Sequence, residues 1–99
     1  MDETDDPAFL RHKLQEELAI HGPVAEAIER RREILSVIEE SDGRDEAVRA
    51  VSELLGVGAI GAEAILDLRI ERLTKSERSA IEQRAQGTRD QLADLEGSP

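Results

Sequence analysis

The sequence predicts an all-α fold: an antiparallel helical hairpin, a short coiled coil, with a two-helix head at its tip, about five helices in all. Three observations carry this expectation. No segment alternates apolar and polar residues with period two, so no strand is expected. Apolar residues instead recur three and four apart along two long stretches, with seams at Val24, Ile28, Leu35 and Ile38 and at Ile81, Ala85, Thr88, Leu92 and Leu95. Between them lie two shorter helical segments bounded by glycine and capping signals. Each long helix needs a partner for its apolar stripe, and each is the other's nearest candidate.

The elements follow in order. Residues 1–6, "MDETDD", have nothing to bury and are expected to be a disordered acidic tail. A single helical domain then spans 7–96. Pro7 suits a first helical turn with Asp6 as cap, and Leu10, Leu14 and Leu18 line one face through about Ile20. "HGP" at 21–23 is expected to end that helix, and Pro23 to open the next, which runs to about Glu40 with Arg31 on the missing seam position. In "ESDGRDE", Ser41 or Asp42 is expected to cap a third helix over about 44–55, burying Ala47, Val48, Val51, Leu54 and Leu55, with Gly56 as its C-terminal cap. A fourth helix is expected over about 60–73. Thr74 and Glu77 then form a Thr-x-x-Glu capping box for a fifth, from about Lys75 to Leu95, weakened only at Gly87.

Composition narrows the function classes. The 99 residues carry 23 acidic and 13 basic side chains, a formal net charge of −10. That balance argues against direct duplex binding, whose affinity comes largely from cations displacing condensed counterions. The run Arg30-Arg31-Arg32 reads as a solvated face neighboured by Glu26, Glu29 and Glu33. The chain has one Phe (Phe9), no Trp or Tyr and no Cys, so its core is built from small aliphatics and it offers no thiol chemistry. A core without aromatics gains from partner helices, which makes an oligomer an early expectation. "MDETDDPAFLRHK" lacks a secretory pattern and no run approaches the roughly 20 apolar residues of a membrane helix, so a cytoplasmic protein with no membrane partner is expected. The initiator Met, acidic lead-in and polar "GSP" end are those expected of a small natural protein.

"GAEAILDLRIERLTKSE", residues 61–77, resembles the head helix of the DNA gyrase and topoisomerase IV A subunits, read approximately as Gln-Ala-Gln-Ala-Ile-Leu-Asp-Met/Leu-Arg-Leu-x-x-Leu-Thr-Gly-Leu-Glu. "LLGVGA" at 54–59 corresponds to that family's Phe-Gly-Leu-Ser-Glu, and "ILSVIEESDGRDEAVRAVSELLG" is similar to the segment leading into the head. The likeness covers roughly residues 24–95. The departures are Gly61 and Glu63 for the two glutamines, Gly58-Ala59 for a helix-opening Ser-Glu, and Lys75-Ser76 for Gly-Leu. The first two pairs imply a weakly capped head helix. The resemblance implies the coiled-coil arm and exit-gate head, where heads of two subunits meet, without the catalytic body. The family cleaves DNA through a tyrosine, which this chain lacks, so no enzyme is expected.

The leading expectation is therefore a non-catalytic homodimerisation or interaction module pairing through an isologous head contact. Val57, Ile60, Ala64 and Leu68 are the interface candidates; each could equally face the third helix, since cores and dimer seams use the same residue types. A modulator that binds a gyrase or topoisomerase IV A subunit, and an acidic imitation of DNA, are the alternatives. Against the second stands the mixing of acids with arginines outside the tail. Metal and cofactor sites are not expected. His12 with Glu16 and Glu17 with His21 have i,i+4 spacing but no third ligand nearby, whereas catalytic zinc typically takes three. Gly56, Gly58 and Gly61 do not match a nucleotide-binding glycine pattern and follow no strand. Asp67 and Arg69, two apart, do not share a helix face and are expected to make buried or interfacial charge pairs with other helices.

Overall fold

Asp6 opens the ordered architecture: in the computed structural model, which describes residues 6–97, its side chain accepts the Ala8 N–H at 3.0 Å and Pro7 occupies the first helical turn. The rest of the tail expected over 1–6 lies outside the described residues. Five α-helices follow: α1 (Pro7–Glu29), α2 (Arg31–Glu40), α3 (Arg44–Leu55), α4 (Ala59–Leu68) and α5 (Lys75–Gly97), with a 3₁₀ turn at Ile70–Arg72. Among the described residues there is no strand.

The expected break at His21-Gly22-Pro23 does not occur. α1 runs straight through Pro23, although an internal proline removes one helical hydrogen bond and ordinarily costs about 3 kcal/mol. Two features offset that cost. Gly22, the preceding residue, has no Cβ to clash with the proline ring, which relaxes the usual restriction on the residue before Pro. The continued helix also delivers Val24, Ala27 and Ile28 into the core, each of them buried.

The interruption comes at Arg30 instead, where φ −107° and ψ 29° leave the helical range. No proline or glycine causes it. On one straight helix Ile28 and Ile34 would point about 120° apart, because six residues advance 600°. Both are fully buried in one cluster, so the axis must turn between them. The Arg31 guanidinium donates to the Ile28 carbonyl at 3.0 Å, and Arg30 reaches the Leu54 carbonyl at 3.4 Å. The expected single seam helix over 24–40 is thus two helices, and Arg31 stands exposed beside the bend.

α3 has the expected boundaries and ends at Gly56 in the left-handed region (φ 67°), where a side chain would be strained. Its N-terminus differs from expectation. Gly43 holds the cap position; the Ser41 hydroxyl instead donates back to the Val37 carbonyl at 2.7 Å, and Glu46 accepts the Asp42 N–H at 3.2 Å. α4 begins at Gly58 with no side-chain cap, as the glycine there implied, and stops at Leu68 rather than 73. Arg69 adopts a left-handed conformation (φ 53°, ψ 67°) and starts the 3₁₀ turn. The reason is again angular. Ile65 and Ile70 would lie about 140° apart on a straight helix, yet both are buried in the same core.

These turns define the layout. α1 and α5 form the antiparallel hairpin: a Cβ on Gly22 would stand 3.7 Å from the Arg89 guanidinium, while Ala25 and Glu29, further along α1, share a cleft with Ser79 and Glu82, earlier in α5. The α5 seam is as expected, with Ala85, Thr88 and Leu92 buried and Ile81 and Leu95 half-buried, but its partner is α1 and not a helix over 24–40. Residues 7–22, which the resemblance left without a role, supply the far half of that hairpin. α3 and α4 pair as the head and α2 packs beside them. The molecule measures 51 × 27 × 21 Å.

The head core is Val24, Ala27, Ile28, Ile34, Val51, Ala62, Ile65 and Ile70. α4 crosses α1 where Gly61 meets Pro23. A Cβ on Gly61 would lie 3.2 Å from both Cβ and Cγ of Pro23, and 3.7 Å from the Ala19 carbonyl, whose regular helical donor Pro23 cannot supply. Gly87, by contrast, has open space around it in α5.

This contrast predicts opposite signs for two like substitutions. Gly87→Ala should stabilise the protein by about 0.5–1 kcal/mol through helix propensity. Gly61→Ala should destabilise it by about 1 kcal/mol, because overpacking of about 1–3 kcal/mol against a rigid proline ring exceeds the propensity gain. Thermal melts of the two variants check both signs.

Candidate interaction surface

The four residues that sequence reasoning assigned to a dimer seam lie along α4 and its approach, but they do not form one exposed stripe. Val57, Ala64 and Leu68 are half-buried and pack against the head core. Ile60 points outward, 74% exposed, on the first turn of α4 beside exposed Gly58 and Ala59. No other large hydrophobic among the described residues approaches that exposure; Phe9, Leu10 and Ile20 on α1 reach about 40%.

A second apolar feature escaped the sequence. Between α2 and the end of α4 lies a groove of about 270 Å³ floored by Leu35, Ile38, Ile65, Leu66 and Ile70. Its rim carries Glu39, Arg69 and Glu71. The groove exists because α2 bends away at Arg30 and the chain reverses at Arg69, and neither turn has a glycine or proline to announce it. The one signal available was angular: Ile34 and Ile70 fall outside the faces set by Ile28 and Ile65.

Charges near the head are arranged in short local pairs. Asp67 accepts from the Arg44 guanidinium at 2.7 Å, joining the end of α4 to the start of α3; the pair reaches another helix as expected but is exposed, where a buried or interfacial one was expected. Exposed pairs of this kind contribute little and weaken with salt. Arg69 does not share that pair. At the α1–α2 bend, Arg30 donates to both carboxylate oxygens of Glu33, at 3.2 and 2.8 Å, with Glu26 3.7 Å away. The basic run therefore has the acidic neighbours expected of it, and it also serves the bend through the Ile28 and Leu54 carbonyls. His12 and Glu16 pair at 2.8 Å on the exposed surface of α1. Among the described residues no group of three or more His, Asp or Glu could hold a metal ion, and no helix is long and apolar enough to cross a membrane.

The chain matches no protein-family model, no curated protein and no solved structure.

The expected capping box closes the first turn of α5. Glu77 accepts the Thr74 backbone N–H at 3.0 Å and the Thr74 hydroxyl at 2.9 Å, while the Glu77 N–H donates to Thr74 Oγ1 at 3.2 Å. The backbone bond foremost, then the hydroxyl, holds the Glu77 carboxyl below the ordinary glutamate range. The Arg30 guanidinium does the same to Glu33, chiefly through its hydrogen bonds.

A carboxyl lowered in the folded state adds stability that is complete above the unfolded value and is lost as pH falls through the folded one. Wild type should therefore be more stable than Glu77→Gln by a constant margin above about pH 5, the margin narrowing as pH falls below the ordinary glutamate range. Melting temperatures of the two proteins across that range test this. A margin that does not narrow on acidification would mean that the carboxylate charge does not strengthen the cap.

Proposed function

We propose that this protein is a non-catalytic module that forms a two-fold homodimer through its head. One observation carries the reading: Ile60 stands 74% exposed on a head whose other large aliphatics are at least half-buried. Burying an isoleucine is worth about 1.5–3 kcal/mol relative to leaving it in water, so a partner surface at this position is favoured. The resemblance of residues 61–77 to the exit-gate head of type IIA topoisomerase A subunits supports the same arrangement, since heads meet there in pairs. Val57, Ala64 and Leu68 then act from beneath, fixing the angle of α4, with Ile60 as the contacting residue.

This placement decides which substitution is informative. Leu68→Asp would put a charge against the head core and confound dimer loss with unfolding. Ile60→Asp leaves the core untouched. Sedimentation equilibrium of wild type should give a dimer, and Ile60→Asp should give a folded monomer or a dimer weakened at least about tenfold, which is roughly 1.4 kcal/mol. A wild type that stays monomeric up to about 1 mM would remove the homodimer reading. Adding a gyrase A subunit should leave the dimer's mass unchanged, because Gly58, Gly61 and Glu63 alter the head where the resemblance departs; co-sedimentation would instead favour a modulator of that enzyme.

A further inference from the structure

We infer that the stem carries a joint at the level of Gly22 and Arg89, and that the outer stem opens there as one unit while the head stays folded. The outer stem is residues 7–22 of α1 with the part of α5 beyond Arg89. Two observations carry the inference, independently of the homodimer reading. The first is where the two helices are weak. Pro23 has no N–H for the Ala19 carbonyl, so α1 lacks one hydrogen bond across this level. Opening here also leaves Pro23 in the first turn of the shortened helix, a position that proline favours. On the antiparallel neighbour, a Cβ on Gly22 would stand 3.7 Å from the Arg89 guanidinium, and Gly87 and Thr88 lie within one turn of Arg89. Gly87 is a weak residue in a helix interior. The Thr88 hydroxyl donates back to the Arg84 carbonyl at 3.1 Å, a bond that slightly destabilises and bends helices. Each helix therefore has its weak residues where the other has its own.

The second observation is how burial divides at the same level. Among the described residues, the head core takes from α1 only Val24, Ala27 and Ile28, all after Pro23, and the α5 residue packed against it is Ile81, before Gly87. Pro23 itself is held on the head side by the approach of Gly61. The outer stem buries Leu14 and Leu92, with Thr88 at the joint, while Phe9, Leu10 and Ile20 stay about 40% exposed. Opening it gives up few buried side chains and none of the head core. Segments with few buried apolar contacts open without global unfolding. Each opening uncovers Leu14 and Leu18 on α1 and Leu92 on α5, an apolar face and its seat.

Native-state hydrogen exchange of the full chain, followed amide by amide by NMR in low denaturant, tests the joint. Amides 14–22 of α1 and 92–95 of α5 should share one opening equilibrium, at least about tenfold larger than that of Ala27, Val51 and Ile65. Its denaturant dependence should be measurable but shallower than theirs, because less surface is exposed. Along α1 the change should come as a step between Gly22 and Ala27. Equal opening at Leu14, Leu18, Ala27 and Ile65 would make stem and head a single cooperative unit and overturn the inference. Protection that declines smoothly towards the helix ends without denaturant dependence would be fraying, and would overturn it too. A step elsewhere in α1 would remove the joint from Gly22, and amides 14–22 without protection would mean that no closed stem stands there to open.

Discussion

The close approach of α1 and α4 at Pro23 and Gly61 is the constraint on which the rest depends. A proline inside a helix leaves one carbonyl without its regular donor and presents a rigid ring at the surface. A Cβ at the crossing would stand 3.2 Å from that ring, tighter than ordinary contact, and Gly61 avoids it. With α4 seated there, Ala62 and Ile65 face Val24, Ala27 and Ile28, and the head core closes around them. α1 thereby belongs to two units at once. Its first half is a hairpin strut packed on α5, and its second half is a wall of the head.

Both irregular turns follow from the same requirement. A straight helix distributes residues by a fixed angle, and the core asks for side chains that the angle separates: Ile28 with Ile34, and Ile65 with Ile70. The chain resolves each conflict by leaving helical geometry for one residue, Arg30 and Arg69. At the first bend, Arg30 and Arg31 reach the Leu54 and Ile28 carbonyls and the Glu33 carboxylate. The stem is simpler. Gly22, Ala25, Ala85 and Thr88 are small, which lets its two helices lie close, and the Thr88 hydroxyl is satisfied by the Arg84 carbonyl at 3.1 Å. Among the described residues no buried side-chain polar atom lacks a partner.

A core made wholly of aliphatics bears on function as well as on stability. A chain of this size buries only about two thirds of its unfolded surface, so some apolar area must remain outside. Here that remainder includes Ile60 and the groove on the head, and Phe9, Leu10 and Ile20 on the stem. In the homodimer proposed above, Ile60 is the part of that area a second copy would cover.

Much of the fold was legible in the residues. The α5 seam, the span of α3, the left-handed stop at Gly56, the Asp6 cap and the Thr74–Glu77 capping box all depend on neighbours within one or two helical turns, and local spacing determines such features. For Val57, Ile60, Ala64 and Leu68 the residues left inward packing and outward exposure equally open, because cores and interfaces draw on the same side chains; only the structure separates exposed Ile60 from the other three. What only the tertiary structure decided was whether Pro23 would stop a helix, where the bends fall, and hence which helix partners α5. Local propensity puts a break at Gly22-Pro23. Burial of Val24, Ala27 and Ile28, and the fit of Gly61 against the proline ring, outweigh that propensity and move the break to Arg30. Those contacts join residues nearly forty positions apart, and no window of sequence contains both sides of them.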